Sequence, residues 1–302
     1  MLIGTTFSAH HLVHLGLPVA ESLRTATNWG FSHIRLGSYW NELEIAPGKF
    51  NWKPLLAQLK ICEAAHQPVV LTIGCKAPRW PEFYIPDWYS HLDPESEEFV
   101  AVIEQFLTAL LKVVAPFSCI THWQVENEPY LPIWFEGTRK KLPQSLVQRE
   151  LALVRAVDDR PCMLTTFGNH CVVDRSLLAL TPEVAVIGID LYPKLFVRQL
   201  FGFPWYAGIT LGALLPRSLR QCQQPIWITE LQAEPWEQDD AGYRSDDPKS
   251  MSPNQLEKNL QLAQSLPATE TLLWGFEYWL WREQRCNDSR YSELVKKWLQ
   301  TS

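Results

Sequence analysis

The segment ITHWQVENEP, residues 120–129, is the stretch from which the fold can be predicted. It begins as an apolar, β-branched run, typical of a buried strand, and ends on Asn127 and Glu128 followed by Pro129. Because proline has no backbone N–H to donate, a strand inside a sheet ends before it. Asn127 and Glu128 are therefore expected at the carboxyl end of a strand.

Seven other segments of this kind are spaced along the chain. The eight predicted strands are residues 2–7, 32–37, 68–74, 120–127, 162–168, 184–192, 225–230 and 271–279. Segments with helical periodicity alternate with them, at residues 18–29, 52–66, 94–114, 144–157, 210–222, 253–266 and 291–299. Alternating strands and helices predict an α/β protein with a parallel sheet.

Eight strand–helix repeats favour closure of that sheet into a (β/α)8 TIM barrel. An open doubly wound sheet would show the same alternation, but no GxGxxG motif follows an early strand and no GxxxxGK[ST] motif occurs. No linker or shift of composition divides the chain, so we predict one catalytic domain over residues 1–302. The long loops follow the strands, which places the working face at the carboxyl ends of the strands.

Composition excludes several classes of function. The 302 residues carry a net charge of −6, with 46% hydrophobic and 20% charged residues, which is typical of a globular protein and unsuited to nucleic acid as the main partner. No apolar run reaches the roughly 18 residues of a membrane-spanning helix, and the N-terminus lacks the features of a secretory signal. The seven cysteines are spread without a CxxC pair, which predicts free thiols in a reducing compartment. We therefore expect a soluble, cytoplasmic protein with no obligate protein partner.

A second predicted strand also ends on a carboxylate. The segment PIWITE, residues 225–230, is the seventh strand, and Glu230 is its last residue. Strands four and seven lie on opposite sides of a barrel, so Glu128 and Glu230 are expected to face each other across its mouth. Two carboxyl groups about 5–5.5 Å apart are what the retaining hydrolysis of a glycosidic bond requires. The alternative is that both carboxylates are structural.

The Asn-Glu-Pro motif on strand four, together with a glutamate at the end of strand seven, resembles the glycoside hydrolases of clan A. Further segments are similar to family 42, the β-galactosidase-like enzymes: Trp123-Gln124 before the motif, ELEIAPGKFNW (residues 42–52), APRW (residues 77–80), and Glu230-Leu231-Gln232 followed by Trp236. Family 5 endo-acting enzymes are the close alternative. The resemblance implies a retaining β-glycoside hydrolase that acts on a carbohydrate without cofactor or metal. It assigns Glu128 as acid/base and Glu230 as nucleophile.

The resemblance also implies roles for residues around the two glutamates. Asn127 would bind the sugar 2-hydroxyl, and Arg35 would support the nucleophile. Tyr192 would donate a hydrogen bond to Glu230, unless it only caps its strand. Trp279, on predicted strand eight, would form the floor of the sugar-binding subsite. The expected substrate-binding residues are therefore Arg35, Asn127, Tyr192, Trp279, Trp80 and Trp236.

Two of these residues have competing interpretations. Arg35 would be structural if it paired with Glu126 inside the barrel. Either Trp274 or Trp281 would serve as the floor of the subsite in place of Trp279.

Three further glutamates lie near the predicted site. Side chains alternate along a strand, so Glu126 is expected on the same face as Glu128, where clan A motifs often have an apolar residue. Glu234, in the loop after strand seven, and Glu277, between aromatic residues, are rival carboxylates. Either would line the cleft without taking part in the chemistry.

Two other classes of function share parts of this pattern. A carbohydrate-binding pseudo-glycosidase would have the aromatic cleft but would not need both glutamates. A barrel enzyme that uses metal or phosphate chemistry would need clustered ligands or a Gly-rich loop after strands seven and eight. His10, His11 and His14 have no partner at metal-ligand spacing, and the segment that follows strand seven, QAEPWEQDDAGYRSDD, is acidic. We predict no metal site.

The predicted loop at residues 193–207 is rich in aromatic rings: Phe196, Phe201, Phe203, Trp205 and Tyr206. It would form a wall or lid over the cleft, in which case Trp205 would contact longer substrates. The alternative is that these rings pack onto the outer helices.

Overall fold

The structure, a computed structural model, describes residues 1–135, 138–168, 174–200, 203–208 and 222–301. Eight parallel strands close into a barrel in which each strand pairs with its neighbours in chain order. They are β1 (Leu2–Thr6), β2 (Ile34–Gly37), β3 (Val69–Ile73), β4 (Ile120–Val125), β5 (Cys162–Phe167), β6 (Val186–Leu191), β7 (Ile226–Gln232) and β8 (Glu270–Trp274). The predicted fold class, an α/β (β/α)8 TIM barrel, is confirmed.

The strands of the barrel are largely apolar because both of their faces are covered. Every residue of β3 and of β6 is buried. Side chains on one face fill the barrel, and those on the other face pack against the surrounding helices. This double burial explains why the strands stand out in the sequence as continuous apolar runs.

The outer layer consists mainly of helices that the sequence predicted. These are Val19–Thr27, Lys53–Ala64, Glu97–Val114, Gln144–Val157, Pro253–Ser265 and Arg290–Leu299. The predicted helix at residues 210–222 lies, except for Cys222, outside the described residues. The sequence did not predict the short helices Ala9–His14, Trp40–Leu43, Arg175–Leu180 and Asp240–Tyr243, or the 3-10 turns Asp87–Tyr89 and Thr181–Glu183.

The last predicted strand is wrong beyond Trp274. Strand β8 ends there, and after Gly275 the helix Phe276–Cys286 begins. A Cβ atom at Gly275 would lie 2.7 Å from the backbone of Ala233, so the chain passes from strand to helix in close contact with the segment after β7. The aromatic run favours a strand locally, but its packing among neighbouring elements decides otherwise. Trp279 therefore lies on a helix and not on strand eight.

Three β-hairpins lie at the carboxyl ends of barrel strands in the described part of the chain. They are Glu44–Ala46 with Lys49–Phe50 after β2, Ile133–Phe135 with Thr138–Lys140 after β4, and Lys194–Leu200 with Phe203–Gly208 after β6. The third hairpin contains the described part of the aromatic segment that the sequence predicted as a loop, and Phe201 lies outside the described residues. The pairing register shifts between Ile189 and Asp190 of β6 and between Ile228 and Leu231 of β7, and in both pairings the extra residue lies on β7.

No disulfide bond joins the cysteines that the structure describes. Four of them, Cys62, Cys75, Cys119 and Cys162, are buried, and Cys222 and Cys286 are partly exposed. Cys171 lies outside the described residues. Over the described ranges, no helix combines the length and the apolar character that crossing a membrane requires.

Candidate active site

A cleft of about 910 Å³ opens at the carboxyl ends of the barrel strands. Both predicted catalytic residues, Glu128 just after β4 and Glu230 in β7, line this cleft. Four of the predicted substrate-binding residues line it as well: Asn127, Tyr192, Trp80 and Trp236. Parallel strands that all end at one face bring together residues that are far apart in the sequence.

Two neighbours hold the Glu230 carboxylate. Arg35 Nη2 lies 2.6 Å from Glu230 Oε1, and the Tyr192 hydroxyl donates a hydrogen bond to Oε2. Arg35 is itself fully buried and is fixed by hydrogen bonds to Thr6 Oγ1 (3.0 Å) and Gln124 Oε1 (3.2 Å). Burial and the Glu230 charge raise the pKa of Tyr192 well above its usual value, so the phenol stays a donor. The alternative ion pair of Arg35 with Glu126 does not occur.

Glu128 lies in a different electrostatic environment. Its backbone N–H donates to Thr165 Oγ1 (2.9 Å), and its carbonyl accepts a hydrogen bond from Lys76 Nζ (2.7 Å). Burial, followed by the charges of Asp190, Glu82 and Glu230, raises the pKa of Glu128 well above the usual range of a carboxyl group. A buried carboxyl among acidic neighbours remains protonated near neutral pH and is suited to donate a proton.

Glu126 does not share a face with Glu128, which corrects the prediction. Strand β4 ends at Val125, and both glutamates have a left-handed backbone, with φ of 60° at Glu126 and 43° at Glu128, so the alternation of a strand no longer applies. The Glu126 carboxylate accepts hydrogen bonds from the backbone N–H groups of Cys75 (2.8 Å) and Lys76. Glu126 therefore holds the loop after β3 and does not line the cleft.

Trp279 does not form the floor of the cleft, so this prediction is wrong. The Trp279 side chain is fully buried, stacks on Trp29 with ring centroids 6.4 Å apart, and donates from Nε1 to the carbonyl of Ala233 (2.7 Å). Its place on a helix turns it away from the barrel mouth. Trp274, at the end of β8, lines the cleft instead.

Exposed aromatic rings lie on the rim of the cleft. The Trp80 side chain is 70% exposed and Trp236 is 46% exposed, although both line the cleft. Trp236 meets Tyr192 edge to face, with ring centroids 5.1 Å apart. Rings that are exposed next to a polar site can cover the apolar faces of a bound sugar.

A charged cluster in the cleft was missed by the sequence analysis. Arg79 binds Glu234 through both Nη atoms and Glu277 through Nη2 (2.9 Å), and its guanidinium lies 4.3 Å from the centre of the Trp274 ring. Glu277 also accepts a hydrogen bond from Ser8 N (2.6 Å). The rival carboxyl groups of Glu234 and Glu277 are thus both bound by one arginine. The partners are 155 and 198 residues apart, so no local pattern could reveal the cluster.

The histidines line the rim of the cleft from the helix Ala9–His14, not from a loop. His11 Nε2 lies 2.8 Å from the hydroxyl of Tyr243. Burial and the nearby Arg79 charge lower the pKa of His11 far below its usual value, so this ring is neutral. No group of three or more potential metal ligands occurs among the described residues.

No protein-family model matches the chain, and no curated protein matches it in sequence. Its fold is similar to solved structures of glycoside hydrolases. A β-galactosidase from Rahnella sp. R3 is 13% identical, with 91% of this chain and 50% of that chain covered and a TM-score of 0.64. An exo-β-1,4-mannosidase from Opitutaceae bacterium strain TAV5 is 14% identical, with coverage of 91% and 51% and a TM-score of 0.64. A family 5 (subfamily 18) protein from Bifidobacterium longum subsp. longum is 13% identical, with coverage of 91% and 69% and a TM-score of 0.65.

At 13–14% identity, these likenesses establish the fold alone. The chain spans about half the length of the Rahnella and Opitutaceae proteins. The barrel is therefore the shared part, and the chemistry must be argued from the residues of the cleft.

Proposed function

We propose that this protein is a retaining β-glycoside hydrolase in which Glu230 is the nucleophile and Glu128 the acid/base. The observation that carries the proposal is that two carboxyl groups in one cleft have different electrostatic environments. The Glu230 carboxyl group forms an ion pair with buried Arg35, whereas Glu128 has no such cation on its carboxyl group, and burial and acidic neighbours raise its pKa. Two carboxyl groups in such different environments can divide the roles of acid and nucleophile.

In the proposed first step, a Glu230 oxygen attacks the anomeric carbon while Glu128 protonates the leaving glycosidic oxygen. The sugar is then joined covalently to Glu230, and the aglycone leaves as an alcohol. In the second step Glu128, now ionised, takes a proton from a water molecule that attacks the anomeric carbon and releases Glu230. Two inversions give net retention of the β-configuration.

The surrounding residues suit a carbohydrate. Gln124 Nε2 donates a hydrogen bond of 3.0 Å to Asn127 Oδ1, which leaves the Asn127 amide N–H groups as donors for a sugar hydroxyl. Trp80, Trp236 and Trp274 supply the aromatic faces of the cleft. Arg35 is proposed to act through Glu230 rather than by contact with the sugar.

The finer points of the proposal remain those expected from the sequence. The segments similar to family 42 favour a β-galactoside as the substrate, whereas the alternative resemblance to family 5 favours a β-glucoside or a β-glycan. A β-galactosidase and a family 5 protein both occur among the structural neighbours. Initial rates on nitrophenyl β-galactoside, β-glucoside, β-mannoside and β-xyloside, and on soluble glucans, distinguish them. We further propose that the chain acts as a single catalytic domain, in the cytoplasm and without a cofactor.

The second candidate, a carbohydrate-binding pseudo-glycosidase, would share the cleft but not turn over substrate. The contacts of Glu230 with both Arg35 and Tyr192 specifically support the enzyme, since a binding protein would not need two side chains to fix the position of one carboxyl group. Binding of sugars with no hydrolysis of any aryl glycoside would favour the second candidate.

Proton NMR of the first-released anomer tests the mechanism directly. Wild type is expected to release the β-anomer first. In Glu230→Gly, a small anion fits where the carboxylate was, so azide should attack the anomeric carbon once and give the α-glycosyl azide. The matched control is Glu234→Gly, which also removes a carboxylate from the cleft but should give no azide adduct. First release of the α-anomer by wild type would contradict the proposal. An azide adduct from the Glu234 variant would assign the role of nucleophile to Glu234 instead of Glu230.

A further inference from the structure

Asp190 is a buried carboxyl group between the two glutamates of the proposed site. It lies on β6, in register beside Glu230 of β7, and is fully buried. Thr229 Oγ1 donates a hydrogen bond of 2.6 Å to Asp190 Oδ1. The other oxygen, Oδ2, has no conventional hydrogen-bond donor within the described residues, and the same holds for Oε1 of Glu128.

The carboxyl groups of Asp190 and Glu128 lie within hydrogen-bonding range of each other. Two ionised carboxylates cannot form a hydrogen bond, because each can only accept. A protonated carboxyl has one O–H to donate, so one proton held between the groups supplies a partner for both. Without that proton, two buried oxygens would be left unsatisfied, which destabilises the fold.

We propose that Asp190 is a positioning residue for the acid/base: its carboxylate accepts the hydrogen bond of the protonated Glu128 carboxyl and keeps that proton in place in the resting protein. The inference rests on the proposed function, since it names the group that prepares Glu128 to act as an acid. The negative charge of Asp190 also disfavours ionisation of Glu128. When Glu128 gives its proton to the leaving oxygen, Asp190 keeps its own charge, and the proton returns to Glu128 from the attacking water.

The titration of the pair agrees with this arrangement. Burial, and next the charge of Asp190, raise the pKa of Glu128 well above its usual value. Burial and then the charge of Glu230 raise the pKa of Asp190 as well, while the hydrogen bond from Glu128 acts against that rise. The protonation of each group therefore depends on that of the other.

The charged and titratable groups around the pair come from several elements of the barrel mouth. They are Arg35 on β2, Lys76 and Glu82 after β3, Tyr192 after β6 and Glu230 on β7. Arg35 is bound to Glu230 at 2.6 Å, and Lys76 Nζ is bound to the Glu128 carbonyl at 2.7 Å. Neither cation is thus bound to the carboxyl group of Asp190 or of Glu128. Removal of the negative charge of Asp190 should therefore lower the pKa of Glu128.

The test measures the pKa of Glu128 in the resting protein. Glutamate labelled with ¹³C at the δ-carboxyl is incorporated, and the Glu128 signal is identified by its loss in Glu128→Gln. In Asp190→Asn the pKa of Glu128 should fall by at least about one unit, a tenfold loss of proton affinity. Asp190→Ser, which is smaller and also neutral, gives the same test if the asparagine variant does not fold. The matched control is Thr229→Val, which removes the other hydrogen bond on Asp190 but keeps the charge, and it should move the pKa far less.

The kinetic counterpart is the alkaline limb of the profile of kcat/KM against pH, which should move to lower pH in Asp190→Asn by the same amount. An unchanged Glu128 pKa in the folded Asp190 variants overturns the proposal. Lower activity with an unmoved alkaline limb overturns it too, because that is what a merely structural residue would cause. If wild type cleaves no glycoside, the proposed function fails, while the titration still decides whether Asp190 holds the Glu128 proton.

Discussion

At Glu230, a guanidinium lies 2.6 Å from the carboxyl group and a phenol donates a hydrogen bond to it, whereas burial and the charges of Asp190, Glu82 and Glu230 raise the pKa of Glu128. The two glutamates have the same side chain, so their different roles arise from these neighbours alone. The division of labour at the residue scale is therefore set by which groups the barrel mouth places around each carboxyl.

Glu128→Ala tests the role of acid at this scale. For a substrate with a poor leaving group, kcat/KM should fall by roughly 10²–10⁴, the usual contribution of a general acid. For a dinitrophenyl glycoside the fall should be much smaller, because an activated leaving group needs little protonation. Steady-state rates on the two substrates give the comparison. The control Glu234→Ala should affect both substrates alike, and an equal loss on both in Glu128→Ala would argue against the assignment.

At the scale of elements, the hairpin of Lys194–Leu200 and Phe203–Gly208 forms one wall of the cleft. It is bound to the segment after β7, since Lys194 N donates to Gln232 Oε1 (2.9 Å) and Phe196 N donates to the Trp236 carbonyl (3.1 Å). Leu195, Phe196 and Val197 line the cleft. The sequence suggested Trp205 for contact with longer substrates, but Trp205 lies on the second strand and is not among the lining residues.

Phe196→Ala should therefore raise KM for oligosaccharides more than for a nitrophenyl monosaccharide, with kcat little changed. We expect a rise of about threefold to tenfold, since a tenfold change equals about 1.4 kcal/mol and partial burial of a phenyl ring contributes about that much. Trp205→Ala, with an exposed ring on the same hairpin, is the matched control and should leave KM unchanged. A raised KM in the Trp205 variant alone would contradict this prediction, because it would mean that the second strand of the hairpin contacts the substrate.

At the scale of the whole molecule, buried carboxyl groups make stability depend on pH. Glu150, in the helix Gln144–Val157, is fully buried beside Glu126, and both of its oxygens lack a conventional donor in the described structure. Burial and the Glu126 charge raise the pKa of Glu150 well above its usual value. A pKa raised in the folded state means that stability is fully present below the unfolded pKa and is lost as pH rises towards the folded pKa. The free energy of unfolding should thus fall from about pH 5 upwards.

Glu150→Gln should weaken this pH dependence, because the amide can donate to Glu126 without taking up a proton. Above neutral pH the variant should exceed wild type in stability, on the order of 1–3 kcal/mol, the cost of a buried polar group without a partner. Urea unfolding between about pH 5 and about pH 9 measures the effect. Glu183→Gln, which removes a partly exposed ion pair with Arg155 of the same helix, should keep the wild-type slope. A slope in Glu150→Gln parallel to that of wild type would refute the explanation.

The sequence by itself determined the barrel and the positions of its two candidate catalytic glutamates. Apolar runs and helical periodicity are local properties, and eight repeats leave little choice but closure. Glu128 and Glu230 could be located because each lies close to the carboxyl end of a strand, and the carboxyl ends of parallel strands lie at one face. The pairing of Arg35 with Glu230 was predicted by resemblance to clan A and is present in the structure.

Only the tertiary structure decided how side chains meet across that face. The left-handed backbone at Glu126 turns its carboxylate to Cys75 and Lys76, although strand alternation predicts the opposite. Trp279 does not line the cleft, because packing imposes a helix on an aromatic run. Arg79 binds Glu234, which follows β7, and Glu277, which lies on the helix after β8. The physical reason is common to these cases. Local patterns indicate an element through its own residues, whereas the packing of an aromatic run and the partner of a buried charge depend on which distant segments lie beside them.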